Sequence, residues 1–219
     1  MRWIGNNTDL ILGYLASHVW LSIVPTVLGF LLALPIGWWA NRVPAVRGVV
    51  LSVGNVLYTI PSLAFILILP GVIGTGFLDP LNIVIALTVY AVAVMARFAS
   101  DGFASVSPAV LDSARASGFG AAGLALRVEL PLAGPVLLAG LRVVSVSTVS
   151  LVSVGALAGV DNLGRLFTEG VFTGNTAEIL TGIVLVVALA LVLDLLLVIA
   201  GRALLPWSAG ARRVRGGVA

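Results

Sequence analysis

Long apolar runs alternate with short polar breaks along this chain, and five of the runs are long enough to cross a bilayer. A helix needs about 20 mostly apolar residues to span a hydrocarbon core of about 30 Å. The pattern predicts spans over residues 17–40, 49–73, 81–96, 136–158 and 179–205. The third run is the shortest. Extending it to Phe103 takes in Arg97 and Asp101, so its end belongs at the membrane interface. Serines alternate with valines through the fourth run, as in a strand. An open strand leaves its backbone unsatisfied in lipid, and too few such segments exist for a barrel. The fold class is therefore all-α and integral to a membrane, with about five transmembrane helices and six at most. Residues 1–14 form a short N-terminal extracytoplasmic segment without the layout of a cleaved signal peptide. Residues 15–205 form one membrane domain, and residues 206–219 a basic tail.

Composition removes several function classes. Of 219 residues, 60% are hydrophobic and only 10% charged, against about 25% charged in soluble domains. Too few charges remain to cover a water-facing surface. The absence of cysteine excludes disulfides, thiolate metal sites and cysteine nucleophiles. A single histidine, His18, excludes a multi-histidine metal site. All 12 basic residues are arginine. Without lysine there is neither a GxxxxGK[ST] phosphate loop nor a lysine Schiff base.

Arginine placement sets an expected orientation. Arg42, Arg47, Arg97, Arg115, Arg127, Arg142, Arg202, Arg212, Arg213 and Arg215 share the side of the segment between spans three and four. Arg2 and Arg165 lie on the other. The positive-inside rule puts the larger group in the cytoplasm. The N-terminus is then outside and the C-terminus inside. The basic net charge of +3 follows from orientation, and no aromatic or fold pattern supports nucleic-acid binding.

The cytoplasmic loop at 105–135 carries a motif. It reads Asp112-Ser113-Ala114-Arg115-Ala116-Ser117-Gly118, then nine residues, then Val128-Glu129-Leu130-Pro131. This resembles the EAA loop of permease subunits of ATP-binding-cassette (ABC) importers: EAA, three residues, Gly, nine residues, I-x-L-P. Asp, Ser and Val replace Glu, Ala and Ile. Pro108 and Asp112 suit a helix start, Gly118 suits a helix end with positive φ, and Pro131 and Pro135 are expected to break the chain before span four.

Further segments resemble permeases for osmoprotectants such as glycine betaine, choline, carnitine and proline betaine. They are Tyr58-Thr59-Ile60-Pro61-Ser62-Leu63-Ala64, the run from Pro80 to Leu87, Glu129-Leu130-Pro131-Leu132-Ala133 and Asn162-Leu163-Gly164-Arg165-Leu166-Phe167. A departure is Arg97-Phe98-Ala99, where relatives more often carry a polar residue after the arginine.

The resemblance implies a type I importer permease fold with a methionine-permease-like core, in a bacterial cytoplasmic membrane. It implies a chain that catalyses nothing and binds no cofactor. ATP and Mg belong to partner ATPase subunits. The other partners are a second permease subunit, identical or paralogous, and a separate extracytoplasmic binding protein. Residues 112–119 become the coupling helix, with Asp112, Ser113, Ala114, Arg115, Ser117, Gly118, Phe119 and Pro131 as ATPase-coupling positions. Methionine or another small solute is the alternative cargo, and an ATP-independent transporter or channel the alternative class.

Individual residues add detail. Pro61 falls near mid-membrane, where it kinks a helix. Tyr58, Pro61 and Ser62 are candidate pathway or gate residues, because aromatic faces hold quaternary ammonium ions. Gly29, Ala33 and Gly37 form a small-residue stripe for helix packing. Trp20, Trp38 and Trp39 suit interfacial anchoring, and His18 a solvated interface position. Asp194 is the one carboxylate inside a predicted span, with Arg142, at the end of span four, as its expected partner.

Overall fold

The computed structural model describes residues 2–207. The basic tail with Arg212, Arg213 and Arg215 lies outside them. The described residues form helices and connecting turns, without strands. A short helix α1 (Arg2–Asn6) leads into α2 (Thr8–Arg42), whose 35 residues far exceed the apolar run inside it. Asp9 in the first turn and Arg42 in the last complement the helix dipole and carry α2 past the lipid at both ends.

The second span is not one rod. It consists of α3 (Pro44–Thr59) and α4 (Ser62–Ile73), bent by 99°. The cause is Pro61. It offers no N–H, and it drives the residue before it out of the helical region. Ile60 and Pro61 are both extended, at ψ 129° and 125°. A broken helix leaves carbonyls bare in lipid. Here Tyr90 Oη donates to the Ile60 carbonyl at 2.7 Å, which satisfies one of them.

The third span is α5 (Pro80–Ala104), which carries Arg97 and Asp101 within the helix. It is the central element, packed against α2, α3 and α8. Its contact with α2 rests on backbone approach. A Cβ built on Gly29 or Gly37 would strike Ala91 or Ala99 of α5, and Ala33 between them is fully buried. The small-residue stripe is therefore a packing seam. Leu21, Ile83, Leu87, Tyr90 and Val152 form one core cluster, and Ala91, Met95, Phe103, Leu137 and Val144 another.

After α5 come α6 (Pro108–Ala116), α7 (Ala121–Leu124) and α8 (Leu130–Val152). Pro131 and Pro135 do not break the chain as expected. One helical run extends over Ala121–Ala156. Pro131 sits at the second position of α8, inside this run. A π-helical turn, Ala125–Glu129, precedes it. Its wider bonding relieves the clash a proline ring otherwise makes with the preceding turn. Arg142 consequently lies inside this helix, not at its end. The run closes in a 3₁₀ turn, Ser153–Ala156. Helix α9 (Arg165–Thr173) then leads to α10 (Thr176–Leu204), which packs on α8 and α9 and is otherwise exposed. Four helices are long and apolar enough to cross a membrane, or five if the bent pair of α3 and α4 is counted as one span.

Charged groups fasten the spans. Arg142 grips Asp194 with two parallel bonds, Nε to Oδ1 at 2.6 Å and Nη2 to Oδ2 at 2.7 Å, joining α8 to α10. This is the pairing expected from sequence. Arg47 on α3 bonds Asp101 on α5 at 2.7 Å. Glu129, almost fully buried, accepts from Trp38 Nε1 at 2.7 Å and from Arg42 Nη2 at 2.8 and 3.0 Å. The Arg42 guanidinium also lies 4.0 Å from the Trp38 ring centroid. Trp38 is thus a donor in a buried clasp between α2 and the foot of α8, in place of the expected interfacial anchor. Trp20 and Trp39 stay exposed, as anchors require.

His18 also departs from expectation. It is fully buried rather than solvated. Its Nε2 donates to the Val149 carbonyl on α8 at 3.0 Å. Helix α2 starts nine residues earlier than the expected span, so His18 falls inside the bundle and not at its rim.

Two outcomes follow from this packing. Gly29→Leu should lower the detergent-melting midpoint clearly, by the ~1–3 kcal/mol typical of overpacking. Gly13→Leu, where a Cβ meets nothing within 4 Å, should leave the midpoint within error. Glu129→Leu should cost about 1–3 kcal/mol by stranding the Trp38 and Arg42 donors. Hydrogen exchange in that variant should quicken first at 36–42 and 121–131.

Candidate functional site

Two features are candidates: the segment after α5, and a mainly apolar groove with a few polar side chains beside the break in span two. The segment is built around α6. Pro108 opens the helix in its first turn. Asp112 lies mid-helix and not at its start; it pairs with Arg115 at 2.7 Å, both exposed. The expected helix at 112–119 therefore begins four residues earlier and ends at Ala116. Its end is a Schellman cap. Gly118 adopts φ +87°, its N–H reaches the Arg115 carbonyl, and Phe119 N–H reaches the Ala114 carbonyl. Only glycine takes that φ without strain, so Gly118 has the positive φ its position implied.

No residue of α6 is buried. Val110 and Phe119 are exposed apolar side chains, and Ser113 and Ser117 turn their hydroxyls back onto the helix, bonding the Ala109 and Ser113 carbonyls. The outer surface of the helix carries the Asp112–Arg115 ion pair among small side chains. The helix is not free to drift, however. Glu129 is clasped by α2, and Pro131 stands two residues further on at the head of α8.

The groove lies between α3 and α5. It has a volume of about 480 Å³ and is lined by Asn55, Tyr58, Thr59 and Arg97, with Leu51, Gly54, Ala93, Val94 and Phe98 completing the wall. Gly54 lets α3 approach the Ala93 carbonyl. Tyr58 is half exposed and packs edge-to-face on Tyr90, the ring that holds the Ile60 carbonyl, with centroids 5.9 Å apart. A small second space joins Tyr58 and Tyr90 to Ser147 and Thr148 of α8. Of the three candidate pathway residues, only Tyr58 lines the groove; Pro61 and Ser62 make the bend beside it. Asn55 and Arg97 were not singled out from sequence as pathway residues. The available signal was Arg97, an arginine inside an apolar helix.

The opposite end of the bundle is shaped by short-range polar contacts. Asn162, fully buried, accepts from Gly164 N–H and donates to the Val160 carbonyl, which folds the Asn162-Leu163-Gly164 turn. Arg165 bonds Asp161 at 3.0 Å, with Glu169 nearby. Asp161 first, then Glu169, hold the Arg165 guanidinium above its usual pKa. Among the described residues no cluster of three metal-ligating side chains occurs.

Comparison with known proteins agrees with this architecture. The choline transport system permease protein OpuBB of Bacillus subtilis (strain 168) is 30% identical over 91% of this chain and 89% of its own. The osmoprotectant import permease protein OsmW of Salmonella typhimurium is 30% identical over 84% and 89%. The carnitine transport permease protein OpuCB of Listeria monocytogenes is 31% identical over 81% and 80%. In three dimensions, a chain of an inward-facing MetNI methionine ABC transporter superposes with a TM-score of 0.81, at 22% identity, covering 90% of this chain and 97% of that one. This establishes the type I ABC permease fold. Residues 11–209 match the family described as binding-protein-dependent transport system inner membrane component, and the chain belongs to that family: it is a multi-pass membrane permease subunit, not an enzyme.

Proposed function

We propose that this chain, paired with a second permease subunit, forms the membrane pathway of an ATP-driven importer for a quaternary-amine osmoprotectant: glycine betaine, choline, carnitine or proline betaine. An external binding protein delivers the solute. Partner subunits bind and hydrolyse ATP with Mg, and α6 carries their closure into the membrane. In this reading the end bearing α6 is cytoplasmic and the N-terminus is outside.

The observation that carries the reading is α6 itself. A glycine-capped helix with EAA-like spacing and no buried residue leads, through α7 and the π turn, to the part-buried Glu129 clasp between α2 and α8. A helix that buries none of its residues in its own chain suits insertion into a groove on another subunit. Asp112, Ser113, Ala114, Arg115, Ser117, Gly118 and Phe119 present the docking surface, and Pro131 sits where the loop meets α8. The cargo is supported by the curated relatives, whose names cite choline, carnitine and osmoprotectants. The likeness to a methionine transporter, at 22% identity, supports the fold and not that cargo.

Gly118→Trp tests the coupling. At φ +87° a bulky residue is strained, and it would crowd the docking face. Uptake into proteoliposomes holding permease, ATPase and binding protein, with ATP inside, should fall at least about tenfold, a loss of about 1.4 kcal/mol or more in coupling. ATPase stimulation by loaded binding protein should fall with it. Unaltered uptake in a fully assembled complex would refute the coupling role. In the wild type, excess betaine or choline should compete with labelled solute; no competition would refute the cargo assignment alone.

A further inference from the structure

Among the described residues Arg97, Arg127 and Arg202 have no carboxylate partner, whereas Arg42, Arg47, Arg115, Arg142 and Arg165 each pair with one. Arg97 makes no ion pair or hydrogen bond among the described residues, although it lies seven residues inside the end of α5. At 1.5 Å per residue that is about 10 Å from the helix end. Asp101, one turn away on α5, is already engaged by Arg47 at 2.7 Å. An unpaired arginine near a membrane interface is best placed facing a wet cavity or a partner. It faces the groove of about 480 Å³, together with Asn55, Tyr58 and Thr59. That volume falls within the range of about 300–1,000 Å³ for small-molecule sites.

The groove holds complementary chemistry. Arg97 supplies a fixed cation, whose planar fork binds a carboxylate through two parallel bonds. Tyr58 supplies an aromatic ring, half exposed and braced against Tyr90, and aromatic faces attract quaternary ammonium. Asn55 and Thr59 add amide and hydroxyl groups. A solute carrying a trimethylammonium at one end and a carboxylate at the other matches both poles. Choline carries only the first, and its cation gains nothing from a nearby guanidinium.

We propose that Arg97 and Tyr58 form an intramembrane way-station that favours zwitterionic betaines over choline, with Arg97 receiving the carboxylate and Tyr58 the ammonium. This rests on the quaternary-amine reading above. The site selects within that class, after the binding protein has released its cargo.

The test is paired uptake of glycine betaine and choline by the assembled transporter in proteoliposomes, with saturating loaded binding protein. In Arg97→Gln the ratio of betaine to choline uptake should fall about tenfold, the loss of a charged bidentate contact, and Arg97→Lys should restore part of it. Tyr58→Ala should depress both solutes and Tyr58→Phe far less. Co-purification with the ATPase confirms that each variant is assembled. An unchanged ratio in assembled Arg97→Gln overturns the proposal. So does a parallel loss of both solutes with loss of assembly, which would mean that Arg97 pairs with a carboxylate of the second permease. A wild type that moves choline and no betaine overturns the way-station alone. A wild type that moves neither overturns the cargo reading as well.

Discussion

Lipid offers a backbone no hydrogen bonds, and this one constraint organises the molecule. It requires helices wherever the chain crosses, and it requires that any break be satisfied by a neighbour. The break at Ile60–Pro61 is made by Pro61 and satisfied by Tyr90, from α5, which donates to the freed Ile60 carbonyl. The same tyrosine braces Tyr58. One side chain therefore makes the bend tolerable and positions the aromatic wall of the groove. The constraint governs charge as well: Arg142 and Asp194 appear within the bundle as a bidentate pair.

Close packing turns these helices into a frame that can carry force. In lipid, association depends on backbone approach and polar contacts more than on hydrophobic burial. Gly29 and Gly37 let α2 lie directly on α5. The Glu129 clasp then ties α2 to the head of α8 through Trp38 and Arg42. Helix α6 hangs from this frame by a short connection on each side. In the proposed coupling, movement of α6 would reach α5 on one side and the helical run at 121–156 on the other.

Much of this was legible in the sequence, for identifiable reasons. Apolar runs located every span, since lipid enforces length. The packing stripe was readable from four-residue spacing, and the Arg142–Asp194 pair from the rarity of charge in a span. What was not legible depended on partners distant in sequence. His18 looked interfacial because the apolar run began at residue 17, whereas α2 starts at Thr8. Trp38 looked like an anchor because Glu129, its acceptor, is 91 residues away. Pro131 and Pro135 read as breakers because a π turn leaves no residue signature. The boundaries of α6 shifted for a similar reason: Asp112 resembles a cap, but the chain is already turned at Pro108. In the groove, Tyr58 was visible as an aromatic in a recognisable segment. Arg97 gained meaning only when α3 was found beside it.

The central claim is that α6 is the docking element for a motor subunit. The chain has no cysteine, so Ser113→Cys would place a single reactive thiol on the exposed face of α6. A short thiol-reactive photocross-linker at that position, in the assembled importer, reads the contact directly. The account predicts one dominant cross-link to the ATPase subunit, with a yield that changes when ATP is added. Cross-linking only to lipid, in a complex that still performs ATP-dependent uptake, would contradict it.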